Sequence, residues 1–227
     1  MADYSVIAFD LMGTLLDLSA LDNLFRAEFG SSRLRREWID EALKIGFATT
    51  AAGQYRPFSQ MTQAALKVIE ERSDNHLSWG ARNRILSALT EAPPFPEVNE
   101  ALSQLSSSNV RLAVFTNWSR ELAESALKSA GVLQNFVAVL SADGAKRLKP
   151  SPESYEYLCK KLGAKAKRVL FVAAHSWDTM GAAYAGLNTC FIARPTQVLD
   201  ELAPKPDFQI SNLLELVKRL GVEAKAA

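Results

Sequence analysis

Five short runs rich in β-branched and aromatic residues, at 4–9, 110–115, 136–140, 169–173 and 189–193, punctuate the sequence. Each is too short for a helix and apolar at most positions, the pattern of a strand buried on both faces. Between the later runs lie segments with apolar residues at helical spacing, at 119–129, 152–162 and 177–185, and Gly131, Gly163 and Gly186 follow their ends. Glycine just past a helix accepts the left-handed backbone that terminates it. Alternation of this kind, with right-handed crossovers, implies an α/β fold with a doubly wound parallel sheet.

Residues 18–96 break the rhythm. They carry helical patterns at 34–52, 59–71 and 79–89 and no convincing strand, so an inserted helical unit is expected there. The Ala-Pro-Pro-Phe-Pro run at 92–96 ends it as a stiff linker, because proline cannot continue a helix. The expected organisation is an α/β core of residues 1–17 and 97–227 with a helical cap of residues 18–96. Ligands of open parallel sheets bind beyond the carboxyl ends of the strands, and an insertion leaving from the first strand roofs that place.

Charge and cysteine content narrow the function. With 26 Lys+Arg against 25 Asp+Glu, nothing draws the chain to nucleic acid or to an anionic membrane, and the expected partner is a small molecule. Cys159 and Cys190 have no CxxC or Cys/His ligand spacing, which suggests neither a disulfide framework nor zinc and suits a reduced, cytoplasmic setting. The opening MADYSVIAFD lacks the basic start and long apolar region of a secretory signal. No apolar stretch approaches the ~20 residues needed to span a bilayer. The Ala/Lys-rich end, 223–227, is expected to fray.

Polar clusters sit at four strand ends. Asp10 ends the first strand, Gly13 permits a tight turn, and the Thr14 hydroxyl can orient the Asp10 carboxylate. A carboxylate so held can be a nucleophile that forms a covalent ester, or simply a turn residue. Phe115-Thr116-Asn117-Trp118 brings a hydroxyl and an amide able to bind an anion or to cap a helix. Lys149 precedes Pro150-Ser151-Pro152, where it can neutralise developing charge or stand in solvent. His175 and Asp178 open a later helix and can position or deprotonate a water, or serve its N-terminus. Each cluster has an ordinary structural reading alone; four together point to a catalytic site.

The order Asp-x-x-Gly-Thr, Thr-Asn, Lys-Pro and a late Trp-Asp resembles the haloacid dehalogenase superfamily, from about residue 4 to residue 220. The stretches AFDLMGTLLD, LAVFTNWS, KPSPESYEYL and LFVAAHSWDTMGAAYAGL look most like the L-2-haloacid dehalogenases. That resemblance implies a Rossmann-like core with a helical cap, no metal or other cofactor, and a homodimer. It implies a hydrolase in which Asp10 attacks C2 of a small L-2-haloacid with inversion, expelling halide, before water cleaves the aspartyl ester to a D-2-hydroxy acid. Lys149 and Thr14 would steady Asp10, and Asp178 would hold Lys149 or help activate the water, with His175 as a further candidate base. Leu11, Met12, Thr116, Asn117, Tyr155 and Trp177 would contact the substrate.

The same comparison exposes departures. Superfamily phosphatases generally carry a proton-transferring Asp where this chain has Met12; a thioether cannot serve there, whereas halide needs no proton to leave. The family's halide-receiving arginine corresponds to Ile39, with Arg35 and Arg36 about one helical turn away as substitutes or as a solvated basic face. Ala173 and His175 stand where the family often has Ser and Asn. Two alternatives therefore accompany the dehalogenase reading: a phosphatase or other hydrolase that uses Asp10, with Mg²⁺ on Asp10 and Asp178, and a binding module whose chemistry has decayed.

Overall fold

The computed structural model describes residues 4–222, so the Ala/Lys-rich end lies outside the described residues. Six strands form one parallel sheet: β1 (Val6–Phe9), β2 (Arg111–Thr116), β3 (Ala138–Ser141), β4 (Val169–Ala173), β5 (Asn188–Ile192) and β6 (Phe208–Ile210), in the order β3-β2-β1-β4-β5-β6. Every residue of β1 and β4 is buried, as a sheet covered on both faces requires. The run expected at 136–140 enters the sheet after a 3₁₀ turn at Leu133–Asn135: Val137 donates its N–H to the Leu112 carbonyl at 2.9 Å, and the strand proper runs from Ala138. β6 has no counterpart among the expected strands.

Five α-helices separate β1 from β2, and the first four lie before the proline-rich linker: α1 (Asp22–Phe29), α2 (Arg33–Ala51), α3 (Phe58–Ser73) and α4 (Trp79–Ala88). Trp38 of α2 is fully buried among them, stacks near Phe25 and donates its indole N–H to the Thr62 carbonyl at 2.8 Å. Glu70, buried in α3, takes a two-pronged bond from Arg82 of α4 at 2.6 and 2.5 Å, so its charge is spent on holding two helices together. The chain leaves and re-enters the sheet layer side by side. Asp17 donates to the Pro93 carbonyl at 2.7 Å and Phe95 to the Leu15 carbonyl at 3.0 Å.

The fifth, α5 (Val98–Ser106), follows the linker and leads into β2, and the remaining helices each follow a strand: α6 (Arg120–Ser129), α7 (Pro152–Leu162), α8 (Ser176–Tyr184) and α9 (Leu213–Arg219). α5 packs with α9 and α7 with α8; right-handed crossovers on the two sides of β1 set these pairs on opposite faces. Gly131, Gly163 and Gly186 take the positive φ values expected at helix ends. Strand order reverses at β1, so the crevice beyond β1, β2 and β4 is the topological switch point.

α8 comes very close to the turn between β3 and α7. A β-carbon on Gly181 would lie 2.6 Å from both the Cβ and the carbonyl oxygen of Pro150 and 2.8 Å from the Tyr155 hydroxyl. Gly181→Ala is therefore expected to destabilise the fold by about 1–3 kcal/mol by forcing that turn outward. Equilibrium denaturation in urea reads the loss; an unchanged midpoint would mean that the turn yields freely.

Candidate active site

Parallel pairing opposes Phe9 of β1 to Val114 of β2 on one side and Val172 of β4 on the other. The residues just past these strands must therefore converge. Asp10 donates its backbone N–H to the Val172 carbonyl at 3.0 Å, which fixes the start of the turn. The turn carries Gly13 at φ 74°, and a β-carbon there would come within 3.2 Å of the His175 ring. Glycine thus serves both the backbone and the close approach of the imidazole.

Asp10 is 5% exposed, and three side chains surround its carboxylate. The Thr14 hydroxyl donates to Oδ2 at 2.7 Å, His175 Nδ1 stands 3.2 Å from the same oxygen, and Lys149 Nζ donates to Oδ1 at 2.9 Å. Thr14 is itself pinned: its oxygen accepts the Ala174 N–H at 3.0 Å, and its carbonyl accepts Arg194 Nε at 3.0 Å. Burial by itself would push the Asp10 carboxyl up. The Lys149 charge and then the His175 hydrogen bond outweigh that effect and hold it well below the usual carboxylate range, ionised at neutral pH.

Lys149 is 1% exposed and all three of its ammonium protons find acceptors: Asp10 Oδ1, Asp178 Oδ2 at 2.7 Å and the Phe115 carbonyl at 3.0 Å. Desolvation alone would strip its proton, but the two carboxylates raise its pKa above the ordinary value. Asp178 is completely buried, and the Tyr155 hydroxyl donates to its Oδ1 at 2.6 Å, so both oxygens are engaged. Burial is the main reason that its pKa lies above normal, and the nearby Asp10 charge adds to the rise.

The sequence-derived candidates fall into three groups. Asp10, Thr14, Lys149, Asp178 and His175 form one continuous hydrogen-bonded cluster. Met12, Thr116, Asn117 and Trp177 line a small pocket of about 40 Å³ in front of Asp10. Leu11 and Tyr155 do not. Both are fully buried: Leu11 turns its side chain into the core, and Tyr155 stands behind Lys149 between Phe115 and Phe171. They support the site from behind, a correction to their expected place against the substrate. Asn117 also has a positioning task, since its side-chain amide accepts the Lys149 backbone N–H at 2.8 Å and donates to the Lys149 carbonyl at 3.2 Å.

A larger cavity of about 530 Å³ lies outside the small pocket, walled by Arg35, Arg36, Asp40 and Arg194 among others. Ile39 borders both spaces, whereas Arg35 and Arg36 border only the outer one. Arg35 bonds Asp22, so the arginines near the expected anion position do not enter the inner pocket. Arg194, 7% exposed, stacks 3.8 Å over Phe95 and donates to Glu97 at 2.7 Å, linking the Thr14 turn to the returning linker. It follows β5 in Ile192-Ala193-Arg194-Pro195; its position at a strand end was the available signal. Phe47, which packs on Trp177, and Phe58, which packs on Trp118 and lines the inner pocket, give no sequence signal beyond apolar helical spacing.

Comparison with known proteins identifies the family. The family model described as haloacid dehalogenase-like hydrolase matches residues 4–186. The chain is 31% identical over 217 residues to (S)-2-haloacid dehalogenase 2 of Pseudomonas sp. (strain CBS-3), covering 95% of each chain. It is 32% identical over 211 residues to (S)-2-haloacid dehalogenase 4A of Burkholderia cepacia, covering 92% of this chain and 91% of that one. A crystal structure of a dehalogenase with intermediate complex superposes with a TM-score of 0.90 at 30% identity, covering 99% of this chain and 100% of the other.

Removing the shared cation tests the electrostatics. Lys149→Met leaves two buried carboxylates without a counterion and is expected to cost about 3–5 kcal/mol at neutral pH. In that variant the folded carboxylates bind protons more tightly than the unfolded ones, so stability is retained at low pH and lost as pH rises. The parent behaves oppositely for Asp10, whose contribution is lost only as pH falls below the ordinary carboxylate range. Urea denaturation at pH 5 and pH 8 separates the cases, and a deficit equal at both pH values would refute the shared-cation account.

Proposed function

The chain belongs to the haloacid dehalogenase-like hydrolases, and on that footing we propose that it cleaves the carbon–halogen bond of small L-2-haloacids through an aspartyl ester on Asp10. One observation carries the reading: an ionised, immobilised carboxylate faces a small, mostly apolar pocket, and Met12 rather than an acid stands two residues after it. Such a site can expel a leaving group that requires no proton. The named relatives, at 31% and 32% identity over nearly the whole chain, support the same chemistry.

In this reading an Asp10 oxygen attacks C2 with inversion, the C–O bond forms as the carbon–halogen bond breaks, and the electron pair departs with halide. Lys149 keeps the nucleophile anionic in a buried setting and fixes its direction, which converts encounter into an oriented displacement. Thr116 and Asn117 receive the substrate carboxylate or the halide, and Trp177 walls the pocket. Water then attacks the Asp10 carbonyl carbon while His175, its ring 3.2 Å from Asp10, takes the proton. Collapse of the tetrahedral intermediate breaks the bond from the Asp10 carbon to the substrate oxygen; that oxygen takes the proton held by His175 to give a D-2-hydroxy acid, and the proton left on Asp10 passes to solvent and restores the carboxylate. Residues 18–96 act as the cap over a core of 1–17 and 97–227, and the enzyme works as a cytoplasmic homodimer without a cofactor. Among the described residues no helix is long and apolar enough to cross a membrane.

A Mg²⁺-dependent phosphatase fits the side chains less well. Lys149 Nζ lies within 2.9 Å of Asp10 and 2.7 Å of Asp178, so an ammonium fills the gap that a cation shared by those carboxylates would need. Both Asp178 oxygens are already hydrogen-bonded.

Halide release from L-2-chloropropionate in the presence of a chelator is the expected activity. Asp10→Asn should reduce it on the order of 10⁴-fold or more. His175→Ala should slow the second half-reaction, so that an alkylated peptide containing Asp10 accumulates and is visible by mass spectrometry. Mg²⁺-dependent phosphate release without halide release would overturn the proposal.

A further inference from the structure

Arg35, Ile39, Leu43 and Phe47 are spaced four apart on α2 and so form one stripe along it. The two middle members, Ile39 and Leu43, border both the inner pocket of about 40 Å³ and the outer cavity of about 530 Å³. Leu18, His175 and Trp177 border both as well. These side chains form a partition. Its core half is the stacked pair His175–Trp177, with ring centroids 5.3 Å apart, and the two halves meet where Phe47 packs edge-on against Trp177, also at 5.3 Å. Asp10, Met12, Thr116, Asn117 and Lys149 lie on the inner side alone, while Arg36, Asp40 and Arg194 lie on the outer side alone.

An inner space of about 40 Å³ holds only roughly three waters, which suits an acid of two or three carbons. A longer substituent on the reacting carbon has nowhere to go unless it passes the partition. The cap half is the removable one: Ile39 and Leu43 are half-buried and make no polar contact, whereas His175 and Trp177 belong to the reacting cluster. Resting on the dehalogenase reading, we propose that Ile39 and Leu43 set the chain length of the substrate. Truncating either joins the two spaces, and the enzyme then accepts linear 2-substituted carboxylates whose alkyl tail extends into the outer cavity.

The measurement is the ratio of kcat/KM for (S)-2-bromohexanoate to that for (S)-2-bromopropionate, followed by bromide release. Ile39→Ala and Leu43→Ala should each raise this ratio at least tenfold, since the butyl tail that the parent's wall obstructs is then accommodated without strain. Ile39→Leu, which keeps the wall, should leave the ratio near that of the parent. A second arm needs no turnover. In an Asp10→Asn background, calorimetry should show that adding Ile39→Ala tightens hexanoate binding relative to propionate. Bromide release from bromopropionate with an unmoved ratio in both alanine variants overturns the partition while the dehalogenase reading stands. No bromide from either acid removes that reading, and the calorimetric arm then decides the partition by itself: unchanged hexanoate preference refutes it.

Discussion

One ammonium between two buried carboxylates organises this molecule. A lysine that is 1% exposed survives only because Asp10, Asp178 and the Phe115 carbonyl take its three protons, and neither carboxylate could stay ionised at that depth without it. The pieces come from four places in the chain: the ends of β1 and β2, the turn before α7 and the first turn of α8. Their coincidence is a property of the sheet order, because reversal at β1 is what makes the ends of β1, β2 and β4 neighbours. The fold is thus a device for assembling charges that no single segment could hold together. It explains why supporting contacts such as Asn117 to the Lys149 backbone and Tyr155 to Asp178 are all turned away from solvent.

The arrangement is lopsided in a way that suits a reacting group. Asp178 has both oxygens saturated and no opening, so its charge is structural. Asp10 shares the same lysine but lies at the pocket wall, with its second oxygen held by Thr14 and His175. Two carboxylates of one residue type acquire different tasks from their surroundings alone, and the opposite shifts in their proton affinity follow from that difference. Arg194 extends the same logic outward, since by gripping the Thr14 carbonyl and stacking on Phe95 it ties the nucleophile turn to the linker through which the helical unit returns.

Much of this was readable from residue types and spacing. The strand runs, the glycines past helix ends and the interruption after residue 17 encode local preferences that depend on neighbours in sequence, and the structure has the parallel sheet and helices at the three places named within 18–96, with α1 in addition. The polar groups singled out at strand ends, Asp10, Thr14, Lys149, His175 and Asp178, come together in one hydrogen-bonded cluster, because a side chain's chemistry is carried by its identity and the strand ends converge. Facing direction was less accessible. Tyr155 and Leu11 belong near the site, yet they serve from behind, since whether a residue meets the pocket or the core depends on packing against β-strands far away in sequence. The linking role of Arg194 was hidden for a related reason: its partners are a backbone carbonyl, a phenylalanine ring and Glu97, about a hundred residues upstream. β6, only three residues with an exposed Gln209 in the middle, is too short to give a period.

The departures from the family pattern acquire a common sense once the two spaces are separated. Ile39 replaces a cation with a hydrocarbon wall, and Met12 is apolar as well, so the inner pocket retains positive charge only at Lys149 and, when protonated, at His175. Basic side chains have not vanished from the vicinity; Arg35, Arg36 and Arg194 line the outer cavity instead.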